Sequence, residues 1–148
     1  MCIIIDANQA GELATGEKPY VKLVLKWIKD GGAIVSGGDL ERELFKHSNM
    51  RDLMGQLSRS GQLRRIGKQK IEQRTAAVEA MCQSNDAHVV ALAIEARTRV
   101  VVTGDNLLIK DLKNSTIVGT RRRVIKENSA NPTRTAHVTH LLNNANCN

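Results

Sequence analysis

Four carboxylates lie beside apolar runs of this 148-residue chain, at Asp6, Glu43, Asp86 and Asp105. Asp6 directly follows three isoleucines, and Asp105 lies just beyond three valines. Asp86 stands at the start of the segment that leads into those valines, and Glu43 follows a second apolar run. In open α/β sheets, ligands collect beyond the carboxyl ends of the strands. We therefore expect the four side chains to converge on one rim of a sheet.

Such a convergence predicts a metal site. Carboxylates in one crevice raise each other's pKa unless a cation neutralises them. Oxygen ligands without cysteine favour a hard ion, Mg²⁺ or Mn²⁺, over zinc. Acidic sites of this kind hold one or two ions about 4 Å apart and direct the in-line attack of water on a phosphodiester. We therefore expect the four acids to be both the metal ligands and the catalytic residues of a hydrolase.

The elements that must position these acids alternate along the chain. Short apolar runs rich in β-branched residues predict buried strands, at 2–5, 33–36, 63–66, 100–103 and, more weakly, 116–118. Helical spacing of apolar residues separates them, at 21–29, 39–45, 50–60, 71–82, 87–96 and around Asp111. This alternation predicts right-handed crossovers and a mostly parallel sheet of four to five strands. The expected fold is a three-layer α/β/α sandwich.

Composition excludes several other classes of protein. Hydrophobic residues make up 41% and charged residues 25%, which is typical of one globular domain and not of a disordered chain. The apolar runs are far too short for a membrane span, and the N-terminus has no signal-peptide pattern, so a cytoplasmic protein without membrane contact is expected. Three widely spaced cysteines with no CxxC pair argue against a disulfide framework and a thiolate zinc site.

The net charge of +7 is concentrated in two segments. Residues 59–74 hold six basic residues against one acid, and residues 121–148 hold five against one, so the rest of the chain is slightly acidic. A basic surface on such a body is expected to bind the phosphates of nucleic acid. The candidate nucleic-acid-binding residues are Arg64, Arg65, Lys68, Arg121, Arg122 and Arg123.

The acidic positions and their neighbours resemble the four acidic blocks of the PIN-domain nucleases. The blocks are Ile3–Asn8, Glu43, Asn85–Ala93 and Val100–Asp105, in the family's order and spacing over about residues 1–120. The resemblance implies a PIN-like domain at 1–126, leaving 127–148 as a polar, loosely ordered tail. His137 and His140 are then tail residues without a catalytic role.

The family resemblance also implies an activity. It makes the chain a Mg²⁺- or Mn²⁺-dependent endoribonuclease, with Asp6, Glu43, Asp86 and Asp105 as the metal-binding acids and Thr103 as a hydroxyl that steadies the site. RNA is the implied substrate. Many small members are toxins with a cognate antitoxin, and small members often form a homodimer.

Two positions depart from the family pattern. Glu41 competes with Glu43 for the second acid, and Glu43 is favoured. Leu107 replaces an acid that some members carry after the fourth block, which leaves Asp111 as a supporting candidate. The alternative function is a non-catalytic PIN-like RNA-binding module, although such modules normally lack one or more of the acids. A haloacid-dehalogenase-like phosphatase needs a second acid where this chain has Asn8, and the pattern of a response-regulator receiver is missing.

Overall fold

A computed structural model describes residues 1–127 and 135–147 of the chain. Its strands are β1 (Cys2–Ile5), β2 (Ala33–Ser36), β3 (Leu63–Arg65), β4 (Val100–Val102) and β5 (Arg123–Ile125). They form one five-stranded sheet in the order β3-β2-β1-β4-β5, in which every pair of neighbours is parallel. The predicted α/β class and mostly parallel sheet are therefore confirmed.

Helices cover both faces of the sheet. They are α1 (Ala10–Thr15), α2 (Pro19–Lys29), α3 (Gly38–Phe45), α4 (Ser48–Arg59), α5 (Lys68–Val78), α6 (Ala87–Glu95), α7 (Asn106–Lys113), α8 (Ser115–Val118) and α9 (Thr135–Asn143). One layer contains α1, α2, α4 and α9, and the other contains α5 to α8, as their mutual contacts show. Helix α3 touches α4 in the first layer and both α5 and α6 in the second, so it bridges the layers beside the sheet.

The core between these layers is aliphatic, as the low aromatic content requires. All four residues of β1 and all three of β4 are buried, which explains why these strands are continuous apolar runs. Tyr20 is the aromatic residue of the core. Among residues 1–127 and 135–147, no helix has the length and apolar character that crossing a bilayer requires.

The fifth strand lies later in the chain than expected. Thr116–Val118, predicted as a weak strand, belongs to the short helix α8. The Asn114 side chain accepts a hydrogen bond from the Thr116 amide (3.0 Å) and so caps this helix, which overrides the β propensity of its residues. The sheet is completed instead by Arg123–Ile125, which pairs with β4.

The C-terminal segment is part of the fold over residues 135–147, so the prediction of a loosely ordered tail is wrong there. Helix α9 packs on α2 and β5 and buries Val138, Leu141 and Leu142. This apolar stripe at helical spacing is what the polar composition of the tail obscured. Residues 128–134 and 148, which include Arg134 of the second basic segment, lie outside the described residues.

The two ends of the chain meet. Cys2 and Cys147 form a disulfide with a Cα–Cα distance of 5.8 Å, in the usual range for such bridges. The Cys2 amide also donates a hydrogen bond to the Ala145 carbonyl (2.9 Å). The odd cysteine count concealed this pair, because Cys82 is the free thiol. The expectation that the cysteines form no disulfide is therefore corrected for Cys2 and Cys147.

Candidate functional site

The four predicted acids stand on elements that end or begin at the carboxyl edge of the sheet. Asp6 follows β1 and Asp105 follows β4, while Asp86 occupies the N-cap position of α6, which runs back against the strands. Glu43 lies in α3, the helix that bridges the two layers. The charges of Asp105 and Glu43 both raise the pKa of Asp6. The charges of Asp6 and Asp105 in turn raise the pKa of Asp86. The structure thus places Asp6 within electrostatic reach of the other three acids.

Asp6 is the buried member of the cluster, with 3% of its surface exposed. Its two carboxylate oxygens accept hydrogen bonds from the Ala7 amide (2.8 Å) and from the Thr103 hydroxyl (2.8 Å). Burial raises the pKa of Asp6 above its usual value, against the lowering effect of these two bonds, and the charges of Asp105 and Glu43 raise it further. The Thr103 hydroxyl therefore holds the orientation of Asp6.

Asp86 has the most perturbed carboxyl of the site. Burial raises its pKa to about 6, with further contributions from the charge of Asp6 and from a hydrogen bond with the Asp105 carboxyl, while His88 acts in the opposite direction. Although Asp86 occupies the N-cap position of α6, its side chain makes no capping hydrogen bond. The carboxylate is therefore not used by the helix, and capping does not explain its presence at the rim.

Asp105, in contrast, serves its own helix. Its Oδ1 accepts hydrogen bonds from the amides of Leu107 (2.9 Å) and Leu108 (3.2 Å), the first turn of α7. The Asp105 amide in turn donates to the Thr103 hydroxyl oxygen (3.1 Å). One Asp105 oxygen is thus held by the helix, which fixes the direction in which the carboxylate faces the cluster.

Of the two candidates for the second acid, Glu43 is the one whose charge acts on Asp6. Glu41 Oε1 accepts a hydrogen bond from Arg65 Nε (2.7 Å) and is committed to that ion pair. The charge of Glu43 raises the pKa of Asp6, and its Oε2 lies 3.4 Å from Nε2 of His88.

The turn before α3 depends on Gly37. Its φ is +154°, and a Cβ there would lie 2.6 Å from the Ile66 carbonyl oxygen.

A chain of hydrogen bonds that no sequence motif predicts connects Thr103 to the core. The Tyr20 hydroxyl donates to Gln9 Oε1 (2.7 Å), and Gln9 Nε2 donates to Asn8 Oδ1 (3.1 Å). Asn8 Nδ2 then contacts the Thr103 hydroxyl oxygen at 3.4 Å. The only sequence signal is that two amides directly follow the first acidic block, which is compatible with many other roles. This chain links the buried core to the Asp6 carboxylate.

Asp111 supports the site through the loop that carries Asp86. It is buried, and its two oxygens accept hydrogen bonds from the amides of Gln83 (2.8 Å) and Ser84 (2.9 Å). Ser84 Oγ lies 3.3 Å from the Asp86 amide, which donates to it. Asp111 therefore positions the loop and makes no contact with the other acids.

His88 was not predicted as a site residue, yet it lies against the cluster from α6. Its Nε2 is buried and has no hydrogen-bond partner among the described residues, because the 3.4 Å approach to Glu43 is not aligned as a hydrogen bond. His88 also lines a cavity of about 270 Å³ beside the rim, together with Asp39 and Lys68. Lys68, at the start of α5, is the lysine that lines this cavity.

The predicted nucleic-acid-binding residues are divided between the two edges of the sheet. Lys68 follows β3 and lies on the side of the acids, where it approaches Glu72 at 3.6 Å. Arg65 is paired with Glu41, and Arg64 Nη1 contacts the Ala96 carbonyl oxygen at 3.4 Å. The first basic segment therefore offers mainly Lys68 to a substrate at the acidic rim.

In the second basic segment, Arg121–Arg123 lie elsewhere than expected. Arg123 begins β5 and is paired with Val100, the first residue of β4, so it stands at the amino edge of the sheet. Arg121 and Arg122 precede it, because β5 runs parallel to its neighbour. Arg122 is also buried, and its guanidinium donates to backbone carbonyls. The expectation that Arg121–Arg123 line the approach to the acids is therefore corrected by the direction of β5.

The side chains at the rim are of the type that binds a hard divalent cation. In the part of the chain that the structure describes, no three His, Cys, Asp or Glu side chains are arranged as a ready-made metal site. The donors are nevertheless carboxylate oxygens, and no lysine or arginine among those residues forms an ion pair with Asp6 or Asp86. The neighbouring Asp105 carboxyl also raises the pKa of Asp86, the effect expected of clustered acids.

No protein-family model, no curated protein and no solved structure matches this chain. The geometry and chemistry of the acidic rim therefore provide the basis for a functional proposal.

The raised pKa of Asp86 predicts a pH-dependent gain in stability for Asp86→Asn in metal-free protein. In the folded state the Asp86 carboxyl keeps its proton up to about pH 6, whereas its ordinary pKa is 3.8. The free energy of unfolding of the wild type therefore falls as pH rises between these two values. The shift corresponds to about 1–2 kcal/mol after allowance for solvent screening of this half-buried group. Asp86→Asn should be more stable than wild type by that amount at pH 8 and equally stable at pH 4, in urea unfolding with EDTA. A gain of the same size at both pH values would contradict the assignment.

Proposed function

We propose that the chain is a metal-dependent nuclease that hydrolyses phosphodiester bonds of RNA at the acidic rim. The observation that carries the proposal is the convergence on Asp6 of Glu43, Asp86 and Asp105 from separate segments. No lysine or arginine among the described residues forms an ion pair with any of these four acids. A purely structural cluster would be expected to hold internal counter-charges, because uncompensated buried carboxylates destabilise the fold. A cluster that binds a cation leaves that charge to the ligand.

The side chains differ in how firmly they are held. Asp6 is fixed by Thr103 and the Ala7 amide, and Asp105 is fixed by the first turn of α7. The Asp86 side chain makes no capping hydrogen bond to α6, so its carboxylate is available to a ligand.

Mg²⁺ or Mn²⁺ bound by these acids would polarise the phosphate and lower the pKa of the attacking water. The chain's own residues would hold the acids and the substrate in position. Thr103 and the Tyr20–Gln9–Asn8 chain keep Asp6 in one orientation. Lys68 is available at the same edge to hold a neighbouring phosphate of the strand, as a salt-dependent contact.

The test is cleavage of mixed-sequence single-stranded RNA and DNA by the purified chain with Mn²⁺, with Mg²⁺ and with EDTA. We expect RNA cleavage in either metal and none in EDTA. RNA binding without cleavage in both metals would favour the alternative, a non-catalytic RNA-binding module. A cognate antitoxin and a homodimer stay predictions of the family resemblance and need co-purification and mass measurements.

A further inference from the structure

A second cavity lies at the amino edge of the sheet, away from the acids. It has a volume of about 330 Å³, at the lower end of the size of ligand pockets, and is lined by the end of α6, the turn after α8 and the residues before β4 and β5. Three of its lining residues are arginines: Arg97, Arg99 and Arg122. Because β4 separates it from Asp105, it lies at least the length of three strand residues, about 10 Å, from the acidic rim.

The cavity carries positive charge without a counter-charge. Among the described residues no aspartate or glutamate lines it, and none of the three arginines forms an ion pair with a described residue. Burial lowers the pKa of Arg122, and the nearby charge of Arg99 lowers it further. Three guanidinium groups around one cavity repel each other, so a bound anion would relieve the repulsion.

Arg122 is the buried member, with 7% of its surface exposed. Its Nη1 donates to the carbonyls of Val118 (3.3 Å) and Thr120, and its Nη2 donates to the Ala93 carbonyl (3.1 Å). Its Nε is buried without a hydrogen-bond partner among the described residues. These three bonds fix the guanidinium at the wall of the cavity. Because a guanidinium has five N–H groups, two donors remain for a ligand.

Arg97 is held in a strained backbone conformation at the same cavity. It follows α6 with a φ of +53°, where the Thr98 amide bonds the Ala93 carbonyl and the Arg97 amide bonds the Ile94 carbonyl. This is the helix-ending motif in which glycine is strongly favoured at that position. Stability alone would favour glycine there, so the arginine side chain points to a role in binding.

We propose that this cavity is a phosphate-binding site, in which Arg97, Arg99 and Arg122 hold a phosphomonoester or diphosphate group. Guanidinium groups bind phosphate oxygens through paired, charge-assisted hydrogen bonds, and a terminal phosphate has enough oxygens for several arginines at once. The group can come from the 5′ end of a nucleic acid or from a free phosphate compound. The inference goes beyond the nuclease function and does not depend on it.

The experiment is calorimetric titration of the full chain with inorganic pyrophosphate in EDTA, which removes metal and prevents cleavage. We expect saturable binding to wild type, and affinity lowered at least about tenfold by Arg99→Gln and by Arg97→Gly, as expected for the loss of a charged hydrogen-bonding partner. Arg51→Gln, on α4 in the other helical layer, is the matched control and should bind as wild type does. Arg97→Gly should not lower the melting temperature, because it relieves the positive φ, so weaker binding cannot be attributed to unfolding.

Failure of wild type to bind pyrophosphate at millimolar concentration would overturn the proposal, as would equal affinity in Arg99→Gln, Arg97→Gly and wild type. Two oligoribonucleotides of one sequence, with and without a 5′ phosphate, distinguish the sources of the ligand. Competition with pyrophosphate by the phosphorylated form alone assigns the site to nucleic-acid ends, and competition by neither assigns it to free phosphate compounds. Because cleavage is not measured, a negative nuclease assay leaves this result unaffected.

Discussion

Asp6→Asn and Asp86→Asn are each expected to reduce metal-dependent RNA cleavage by at least about 100-fold. Each change removes a charged oxygen ligand from the cluster, and the loss of a direct ligand removes several kcal/mol of transition-state stabilisation, at 1.36 kcal/mol for each factor of ten. The measurement is the initial rate of cleavage in Mn²⁺ under conditions in which wild type is saturated with metal.

Glu43→Gln and Glu41→Gln form a matched pair for the same assay. Both lie in α3 two residues apart, and both lose one negative charge. Glu43→Gln should slow cleavage, whereas Glu41→Gln should leave it within about twofold, because Glu41 pairs with Arg65 outside the cluster. Retention of more than about a tenth of wild-type activity by both Asp6→Asn and Asp86→Asn would contradict the site assignment.

The second large effect concerns the link between the chain ends. Reducing the Cys2–Cys147 disulfide, which closes a loop with a sequence separation of 145, should lower the free energy of unfolding by about 3–5 kcal/mol. Cys147→Ser should lower it by the same amount under oxidising conditions. The measurement is the urea midpoint of oxidised wild type, reduced wild type and Cys147→Ser.

Cys82→Ser is the control, because Cys82 is a free thiol outside the bridge. It should remain as sensitive to reduction as wild type, whereas Cys147→Ser should be insensitive. A wild-type midpoint that does not move on reduction would show that the bridge contributes nothing to the fold. Reducing compartments keep cysteines in the thiol form. The difference between the oxidised and reduced midpoints therefore also measures the stability that the chain would lack in a reducing cytoplasm.

The buried strands and the acids that follow them were predictable from sequence for one physical reason. A parallel strand covered on both faces must be a continuous apolar run, and a charge directly after it must lie at its end. Asp6 and Asp105 illustrate this, since each follows such a run and both meet at the carboxyl edge. Their positions therefore depend on local pattern and parallel topology alone.

Other features depended on contacts that no local pattern encodes. The distinction between Glu41 and Glu43 required Arg65 of β3, which is far away in sequence. The sheet edge occupied by Arg121–Arg123 required the direction of β5, and the sequence placed that strand at Thr116–Val118 instead. The error in one strand thus placed Arg121–Arg123 at the wrong edge of the sheet.

The C-terminal segment shows the limit of composition as a guide. Residues 127–148 are rich in polar side chains, which predicts a loose tail. Helix α9 nevertheless buries three apolar residues on α2 and β5, and Cys147 bonds to Cys2 at the other end of the chain. Stability here arises from partners distant in sequence, so a window of twenty residues could not reveal it.

The binding of Mn²⁺ to the acidic rim tests the central claim most directly. Calorimetric titration of Mn²⁺ into the wild-type chain is predicted to show saturable binding. Asp6→Asn should bind at least about tenfold more weakly, since a carboxylate ligand becomes a neutral amide, while Glu41→Gln should bind as wild type does. No saturable binding at millimolar Mn²⁺, or equal affinity in wild type and Asp6→Asn, would contradict the assignment of these acids as metal ligands.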